Sequence, residues 1–289
     1  MLSGTSERLS NLKLGVSMWS YYAVWKRGDI DIPGFIHTVR DNGAEGVELL
    51  DFFWKDRESE SKAVKAALAE TSSPVAVYSV SNNFVNEDPE FRAKQVSVIR
   101  SGVDSALEYA AGVVRVFAGN FDDKHSFHQA LHWIVEGLKE AADYAAEKGV
   151  VLALENHGRL AGRSDQVRDI INAVGSPALK ANPDTGNFLL VHQAPHDVVK
   201  ELASLAGMVH FKDFTEVPQT HEGFAYVSLD GLKYVGTAIG EGDVALATCV
   251  AELREAGFDG WMNIEYEGAE DPTAALPRSI KNARKLLDK

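Results

Sequence analysis

Short apolar runs of strand length alternate with longer amphipathic stretches along the whole of this 289-residue chain. Eight runs have the pattern of buried β-strands. They lie at 12–19, 44–50, 74–80, 112–119, 150–156, 179–184, 207–213 and 261–267. Eight helical patterns accompany them, at 31–43, 60–71, 89–111, 126–149, 164–175, 195–206, 244–257 and 271–288. This alternation is typical of a parallel sheet that is covered by helices.

Eight strand-and-helix units in about 250 residues predict a (β/α)₈ TIM barrel rather than an open doubly wound sheet, which normally has fewer strands. Hydrophobic residues make up 45% of the chain, enough for one large core, so we expect residues 1–289 to form a single domain. The longest connection, 214–243, combines turn residues with short apolar alternations. It has two interpretations, a β-hairpin excursion without a role or a lid over the barrel.

The net charge and the cysteine content limit which classes of binding partner and which cellular compartment we expect. The formal net charge is −13, whereas proteins that bind nucleic acids or anionic membranes need a basic surface. No stretch approaches the roughly 18 apolar residues of a membrane span, and the first residues lack the apolar core of a signal peptide. Cys249 is the single cysteine, which rules out an internal disulfide and favours a reducing compartment. We therefore expect a cytoplasmic protein with a small-molecule partner.

Four of the predicted strands end in a residue that can bind a divalent metal. These residues are Glu155, Asp184, His210 and Glu265. In a TIM barrel the C-terminal strand ends open onto one mouth, where active sites lie. Ionised groups at the ends of buried strands are costly to desolvate unless a cation or hydrogen-bond donors compensate them. The four residues therefore predict one shared metal ion, the alternative being mouth charges that lysines and backbone donors satisfy.

Neighbouring polar residues extend this constellation, because residues two apart on a strand share a face. We expect further inward-facing groups beside the four strand ends. They are Asn263 and Glu267 beside Glu265, Lys212 beside His210, Asn182 beside Asp184, His157 beside Glu155, and Glu48 on the second strand. The mouth of the barrel then carries polar groups of both signs.

A site of three carboxylates and one imidazole suits Mn²⁺, Mg²⁺ or Co²⁺ better than Zn²⁺, and Mn²⁺ is the metal we expect. Such an ion can chelate a carbonyl and the adjacent hydroxyl of a sugar, acidify the C–H between them and stabilise the resulting enediolate. Carboxylates on either side can relay the proton. In this interpretation Glu155 and Glu265 form the acid/base pair. No dinucleotide or phosphate-loop fingerprint accompanies the site, so we expect no nucleotide cofactor.

The motifs ALENHG, NPDTGNF, VHFKD and NIEYEG, in this order and spacing, resemble those of the xylose isomerase-like barrel superfamily of sugar phosphate isomerases and epimerases. The resemblance spans nearly the whole chain. It implies a (β/α)₈ barrel that binds a divalent metal through Glu155, Asp184, His210 and Glu265. Each motif alone is weak, but the four together are fairly specific for the superfamily and not for a substrate.

Two departures from the relatives' pattern bear on the activity. Ketohexose 3-epimerases and DNA-cutting relatives carry a histidine three positions after the aspartate of the sixth strand, where this chain has Asn187. The epimerases also place an arginine shortly after the histidine of the seventh strand, and FKDFTEVP contains none. The arrangement of His210, Lys212 and Asp213 is instead similar to that of the inosose dehydratase branch. Cleavage of abasic sites in DNA is disfavoured by Asn187 and by the acidic surface.

Several side chains of the mouth are candidates for contacts with the substrate. Each of them has an ordinary structural role as the alternative. Lys212 could steady an enolate oxygen or form a salt bridge to a mouth carboxylate. His157 and Glu48 could bind a hydroxyl or orient a metal ligand. Trp19 could stack on a sugar ring or pack in the core. We also assign Asn187 and Glu267 to substrate binding.

These observations predict a metal-dependent sugar isomerase or epimerase that abstracts a proton next to a carbonyl. A carbohydrate lyase, of inosose dehydratase type or eliminating from a keto-glycoside, needs the same metal and base and is the first alternative. An abasic-site endonuclease and a sugar-binding barrel without turnover are further alternatives. The substrate is expected to be a sugar or a cyclitol. A homo-oligomer is compatible with the sequence, which marks no interface.

Overall fold

Eight parallel strands form the wall of a nearly closed barrel, as the sequence predicts. The computed structural model describes residues 11–120, 122 and 124–288. Its strands in chain order are β1 Lys13–Ser17, β2 Gly46–Leu50, β3 Val75–Ser79, β4 Val113–Val116, β5 Val151–Glu155, β6 Leu179–Asn182, β7 Val209–Phe211, β8 Asp213–Val217, β9 Tyr226–Val227, β10 Lys233–Thr237 and β11 Trp261–Ile264. Strands β1 to β7 and β11 are the eight predicted ones, each slightly shorter than its apolar run.

The barrel sheet has the strand order β6-β5-β4-β3-β2-β1-β11-β7. Its two outer members, β6 and β7, meet at a seam of isolated bridges, one of which pairs Asp184 with His210. At this seam Thr185 N–H donates to the His210 carbonyl at 3.0 Å, and His210 N–H donates to the Pro183 carbonyl at 3.2 Å. The seam therefore brings two of the predicted metal ligands to adjacent positions at the mouth.

Helices surround the sheet. They are α1 Tyr22–Lys26, α2 Ile32–Asp41, α3 Arg57–Thr71, α4 Pro89–Glu108, α5 Phe127–Lys148, α6 Ser164–Val174, α7 Asn187–Leu190, α8 Pro195–Leu202, α9 Leu246–Glu255 and α10 Pro272–Leu287. The predicted helices correspond to all of these except α1 and α7, which are too short for a periodic pattern and follow strand ends at the mouth. In the part of the chain that the structure describes, no helix has the length and apolarity to span a bilayer.

Local sequence signals set the helix ends. The Asp88 and Asp271 carboxylates cap α4 and α10 by accepting from Glu90 N–H and Thr273 N–H, each at 2.9 Å, and a proline follows each aspartate. Helix α5 ends at Gly149 with φ 69°, the left-handed conformation that glycine adopts at no steric cost. These signals fix where α4 and α10 begin and where α5 ends.

The main hydrophobic core lies between the strands and the helices. Phe35 of α2, Ile99 of α4 and Leu138 of α5 are fully buried and belong to one continuous cluster with Val47 of β2 and Val114 of β4. Burial of each such side chain contributes about 1.5–3 kcal/mol. The core makes the strands a rigid frame, so the residues at their C-terminal ends are held in fixed positions.

The connection 214–243 forms a small antiparallel sheet of order β8-β10-β9. Asp213, at the start of β8, ties the end of this excursion to its beginning. Its carboxylate accepts from Gly240 N–H at 2.9 Å, Gly242 N–H at 3.0 Å and Val244 N–H at 3.2 Å. The excursion is thereby fixed beside the mouth of the barrel.

Gly46 tests the packing of the barrel wall. A Cβ there would lie 2.8 Å from Cη2 of Trp261 and 3.0 Å from the backbone carbonyl oxygen of Pro74. We expect Gly46→Ala to lower the free energy of unfolding by about 1–3 kcal/mol, because the carbonyl cannot move without disturbing the strand. Urea unfolding measures this.

The control is Gly112→Ala, since no neighbouring heavy atom lies within 4 Å of its added Cβ. We expect this variant to unfold at the wild-type urea concentration or slightly above it. Equal losses in both variants would contradict the assigned packing at Gly46.

Candidate metal centre

The four predicted ligands converge at the barrel mouth. Glu155 ends β5, Asp184 lies two residues beyond β6, His210 is in β7, and Glu265 directly follows β11. Each offers one ligand atom, and these atoms all lie within 4.8 Å of one another. All four side chains are buried, the most accessible being Glu265 at 6% exposure. Such a group could bind a metal ion.

The imidazole of His210 is held with one nitrogen toward this cluster. Its Nε2 lies 3.2 and 3.1 Å from the two carboxylate oxygens of Glu48. Glu48 is itself fixed, because it accepts from Ser79 Oγ at 2.6 Å and from Asn263 Nδ2 at 2.8 Å. A carboxylate behind a histidine favours the proton on the nitrogen it contacts, which leaves the lone pair of Nδ1 for a metal.

Three carboxylates face that nitrogen. His210 Nδ1 lies 3.3 Å from Glu155 Oε2, 3.7 Å from Glu265 Oε2 and 3.9 Å from Asp184 Oδ2. Nδ1 and Asp184 Oδ2 are buried and have no hydrogen-bond partner. Buried polar atoms are nearly always hydrogen-bonded, so two unpartnered atoms that face each other fit the coordination of a cation.

Lys212 places a positive charge beside the same cluster. Its Nζ lies 2.9 Å from Asp184 Oδ2, 2.6 Å from Glu265 Oε2 and 2.8 Å from Glu267 Oε2. The lysine therefore compensates part of the carboxylate charge, including that of Asp184.

Burial and neighbouring charges shift the pKa values of the carboxylates and of His210. Burial raises the pKa of Asp184 to about 7, with Lys212 opposing and Glu265 and Glu155 adding to the shift. Burial also acts to raise the pKa of Glu155, but His210 and Arg115 hold it below the usual range. For His210, burial lowers the pKa, and the surrounding carboxylates outweigh this and raise it well above its usual value. A proton and a metal ion therefore compete for Nδ1.

Amide groups fix the orientation of the acidic side chains. Asp184 Oδ1 accepts from the backbone N–H of Gly186 and of Asn187, both at 3.0 Å. Asn156 holds the Asp184 backbone from the other side, since its Oδ1 accepts from Asp184 N–H at 2.6 Å. The Asn187 side-chain amide lies 3.4 Å from Glu155 Oε1. Asn187 thus lies between two of the candidate ligands.

Arg115 is a residue of the site that sequence reasoning missed. Its Nε lies 3.3 Å from Glu155 Oε2, its Nη1 donates to the Val80 carbonyl at 2.9 Å, and its guanidinium lies 4.0 Å from the centre of the Phe117 ring. It is mid-strand in β4, a strand without a metal-binding residue at its end. The available signal was a lone charge inside the apolar run VVRVF, since a buried arginine needs an acidic partner.

A cavity of about 400 Å³ opens over the cluster. The side chains that line it include seven of the predicted site residues: Trp19, Glu155, His157, Asn187, Lys212, Glu265 and Glu267. Trp19 Nε1 donates to Glu267 Oε1 at 2.6 Å, and the excursion contributes Tyr226 to the wall.

Three of the predicted site residues do not line this cavity, namely Glu48 and the fully buried Asp184 and His210, and neither does Asp213. Glu48 is fully buried behind His210, where its carboxylate is occupied by protein donors. Asp213 turns away from the cavity and anchors the excursion. The polar lining combines carboxylate, amide, imidazole and cationic side chains, which suits a ligand with several hydroxyl groups.

Comparison with known proteins identifies the family. The model of the xylose isomerase-like TIM barrel family matches residues 36–286, so the chain belongs to this family, as its motifs predict. An inosose dehydratase of Lacticaseibacillus casei is 26% identical over 173 residues, 58% of this chain and 57% of that protein. The L-ribulose-5-phosphate 3-epimerase UlaE of Salmonella paratyphi C is 25% identical over 200 residues, 67% of this chain and 64% of that protein. The matches thus span less than two thirds of either relative.

Solved structures show the same fold at low sequence identity. A probable 3-DHS dehydratase, AsbF of Bacillus anthracis, superimposes with a TM-score of 0.75 at 17% identity over 94% of this chain and 98% of that one. The IOLI protein with a bound zinc atom superimposes with a TM-score of 0.74 at 17% identity, over 95% and 96% of the two chains. Dehydratases and an epimerase are therefore among the proteins this chain is similar to.

Metal binding can be tested through thermal stability. At 100 times its dissociation constant, a cation that binds only the folded protein stabilises it by about 2.7 kcal/mol. We expect Mn²⁺ to raise the melting temperature of chelator-treated protein and to have little effect on Asp184→Asn, which lacks one anionic ligand at the same side-chain size. Differential scanning calorimetry with and without Mn²⁺ measures the shift.

Asp51→Asn is the matched control, because Asp51 also follows a barrel strand but binds Ser81 outside the cluster. It should keep the wild-type response to Mn²⁺. A shift that survives Asp184→Asn unchanged would remove Asp184 from the metal site.

Proposed function

We propose that this member of the xylose isomerase-like family is a metal-dependent sugar isomerase or epimerase, which abstracts a proton next to a carbonyl through an enediolate. The observation that carries the proposal is His210 Nδ1, which is unpartnered and ringed by three buried carboxylates under a cavity large enough for a sugar. The similar proteins include an epimerase and dehydratases, and abstraction of a proton next to a carbonyl can begin either kind of reaction.

The proposed ligands of one divalent ion are Glu155, Asp184, His210 and Glu265. An ion bound there would polarise the substrate carbonyl and make the adjacent C–H more acidic. The oxygen-rich donor set favours Mn²⁺, with Mg²⁺, Co²⁺ and the zinc of the IOLI relative as alternatives. Glu48 acts on this site through His210, whose ring it orients.

Glu155 and Glu265 are the proposed acid and base. They enter the cavity from β5 and β11, strands that β6 and β7 separate around the barrel, so they approach a bound sugar from different directions. One carboxylate takes the proton from carbon and the other returns a proton to the opposite face, which inverts the stereocentre. The group that acts as base must be ionised, which Arg115 favours for Glu155 and Lys212 for Glu265, and the group that acts as acid carries a proton taken from solvent.

The other cavity residues are proposed to bind the substrate. His157, Asn187, Lys212 and Glu267 present polar atoms to its hydroxyl groups, and Trp19 offers a ring face to its C–H face. We further propose that the excursion 214–243 serves as a lid, because Tyr226 on β9 forms part of the cavity wall. A closed lid would exclude water from the carbanion.

A lyase is the second candidate, and Lys212 is the observation that favours it. Its ammonium group lies within 2.6 Å of Glu265 Oε2 and lines the cavity, where it could protonate a hydroxyl that leaves from the carbon next to the carbanion. The C–O bond then breaks with its electron pair, water departs and a double bond forms. The inosose dehydratases among the relatives support this outcome.

Turnover in deuterium oxide separates the two outcomes. We expect an epimerised product that carries one solvent deuterium at the inverted carbon and has lost no other mass, because the returned proton comes from a carboxylate that exchanges with solvent. Mass spectrometry and NMR of products from a panel of ketoses, inososes and keto-glycosides measure this. A product lighter by one water would instead establish the lyase.

Removal of either proposed proton carrier should abolish turnover. We expect Glu155→Gln and Glu265→Gln each to lower kcat by about 100-fold or more, the usual contribution of general acid–base catalysis, while sugar still binds. Steady-state kinetics and equilibrium binding together check this. Glu140→Gln, an exposed carboxylate that pairs with Arg100, is the control and should retain full kcat. Full activity in both cavity variants would exclude them from the mechanism.

A further inference from the structure

We propose that the substrate is an uncharged keto-sugar or keto-cyclitol with an apolar, preferably aromatic, substituent, and that this substituent occupies a second cavity beside the metal centre. The assignment of the sugar end rests on the proposed function. The second cavity and its aromatic lining do not depend on that function.

The second cavity adjoins the first. It has a volume of about 250 Å³ and shares Trp19, Tyr226 and Glu267 with the 400 Å³ cavity over the metal cluster. The larger cavity is big enough for a single sugar ring, and the shared side chains make the smaller one its neighbour. A single sugar ring at the metal centre therefore leaves the second cavity for another part of the ligand.

The walls of the second cavity are aromatic. Trp19, Tyr22, Tyr226 and Tyr266 line it, together with Pro272. The Trp19 and Tyr22 rings stack on each other at 5.0 Å with an interplanar angle of 23°, which makes them one rigid aromatic unit in the wall. A flat apolar group binds an aromatic wall through ring contacts and loss of water.

The polar atoms of Trp19 and Tyr266 are already hydrogen-bonded. Trp19 Nε1 donates to Glu267 Oε1 at 2.6 Å, and the Tyr266 hydroxyl donates to the Glu270 carbonyl at 3.0 Å. Trp19 and Tyr266 thus offer a ligand their ring carbons and no free N–H or O–H. Glu267 stands at the junction of the two cavities and also contacts Lys212 at 2.8 Å, so it can accept from a hydroxyl where the sugar meets its substituent.

The charges of the residues that line the site disfavour a phosphorylated substrate. The site has two cationic side chains, Lys212 and Arg115, and five carboxylates, which belong to Glu48, Glu155, Asp184, Glu265 and Glu267. A bound divalent ion would therefore still leave one negative charge in excess. Both cations already contact carboxylates. Among the described residues that line the second cavity, Glu267 is the charged one. A phosphate, with close to two negative charges at neutral pH, would find no unpaired lysine or arginine among the described residues that line the two cavities.

The experiment compares matched ligands on Mn²⁺-loaded protein by isothermal titration calorimetry. The probes are methyl and phenyl β-glycosides of glucose, galactose, mannose and xylose, with glucose and glucose 6-phosphate as the charge pair. We expect the phenyl ligand to bind about tenfold tighter than its methyl partner in at least one pair. We expect glucose 6-phosphate to bind no tighter than glucose.

Ala23→Trp tests the location, because Ala23 lies on the exposed side of α1 and lines the second cavity, which the indole would fill. The difference between phenyl and methyl ligands should disappear in this variant. Ala63→Trp, on the exposed side of α3, is the control and should keep the difference.

No phenyl advantage in any pair, an advantage that survives Ala23→Trp, or tighter binding of the phosphate would each overturn the inference. Because the readout is binding, its failure is separate from that of the proposed chemistry. Loss of solvent-deuterium incorporation with a retained phenyl preference would reject the reaction and keep the cavity assignment.

Discussion

The contact between Glu48 and His210 organises the centre of this protein. Glu48 occupies Nε2 of the imidazole, so the other nitrogen faces Glu155, Asp184 and Glu265 without a partner of its own. A histidine ring with one nitrogen hydrogen-bonded and the other free has the orientation that a metal ligand needs. The three carboxylates are then costly neighbours unless a cation joins them.

The barrel supplies this arrangement through its seam. Strands β6 and β7 are joined by bridges instead of a continuous ladder, and one bridge pairs Asp184 with His210. Asn182 strengthens the seam, because its Oδ1 accepts from His210 N–H at 2.9 Å and its Nδ2 lies 3.4 Å from Glu155 Oε2. The same contacts that close the sheet therefore hold the candidate ligands, which couples closure of the fold to assembly of the site.

Much of this could be predicted from the sequence, because two periodicities carry the information. Parallel strands bring their C-terminal ends to one edge, which predicts that Glu155, Asp184, His210 and Glu265 meet. The two-residue repeat of a strand puts Lys212 on the same side as His210. Lys212 lines the cavity, and His210 is buried in the cluster of candidate ligands. The barrel itself and the family are confirmed on the same grounds.

Other features depend on contacts between distant segments, which no local pattern encodes. Arg115 is a single charge within an apolar strand, and its partner Glu155 is 40 positions away. Tyr226 reaches the cavity because Asp213 folds the excursion back on itself, and Asp213 does so through backbone N–H groups that carry no sequence signature. The role of Glu48 likewise appears only when β2 and β7 face each other across the barrel.

Anomalous diffraction from crystals grown with Mn²⁺ measures the central claim directly. We expect one strong anomalous peak within coordination distance of His210 Nδ1 and of a carboxylate oxygen from each of Glu155, Asp184 and Glu265. A peak elsewhere, or no peak at this position in protein saturated with Mn²⁺, would contradict the account.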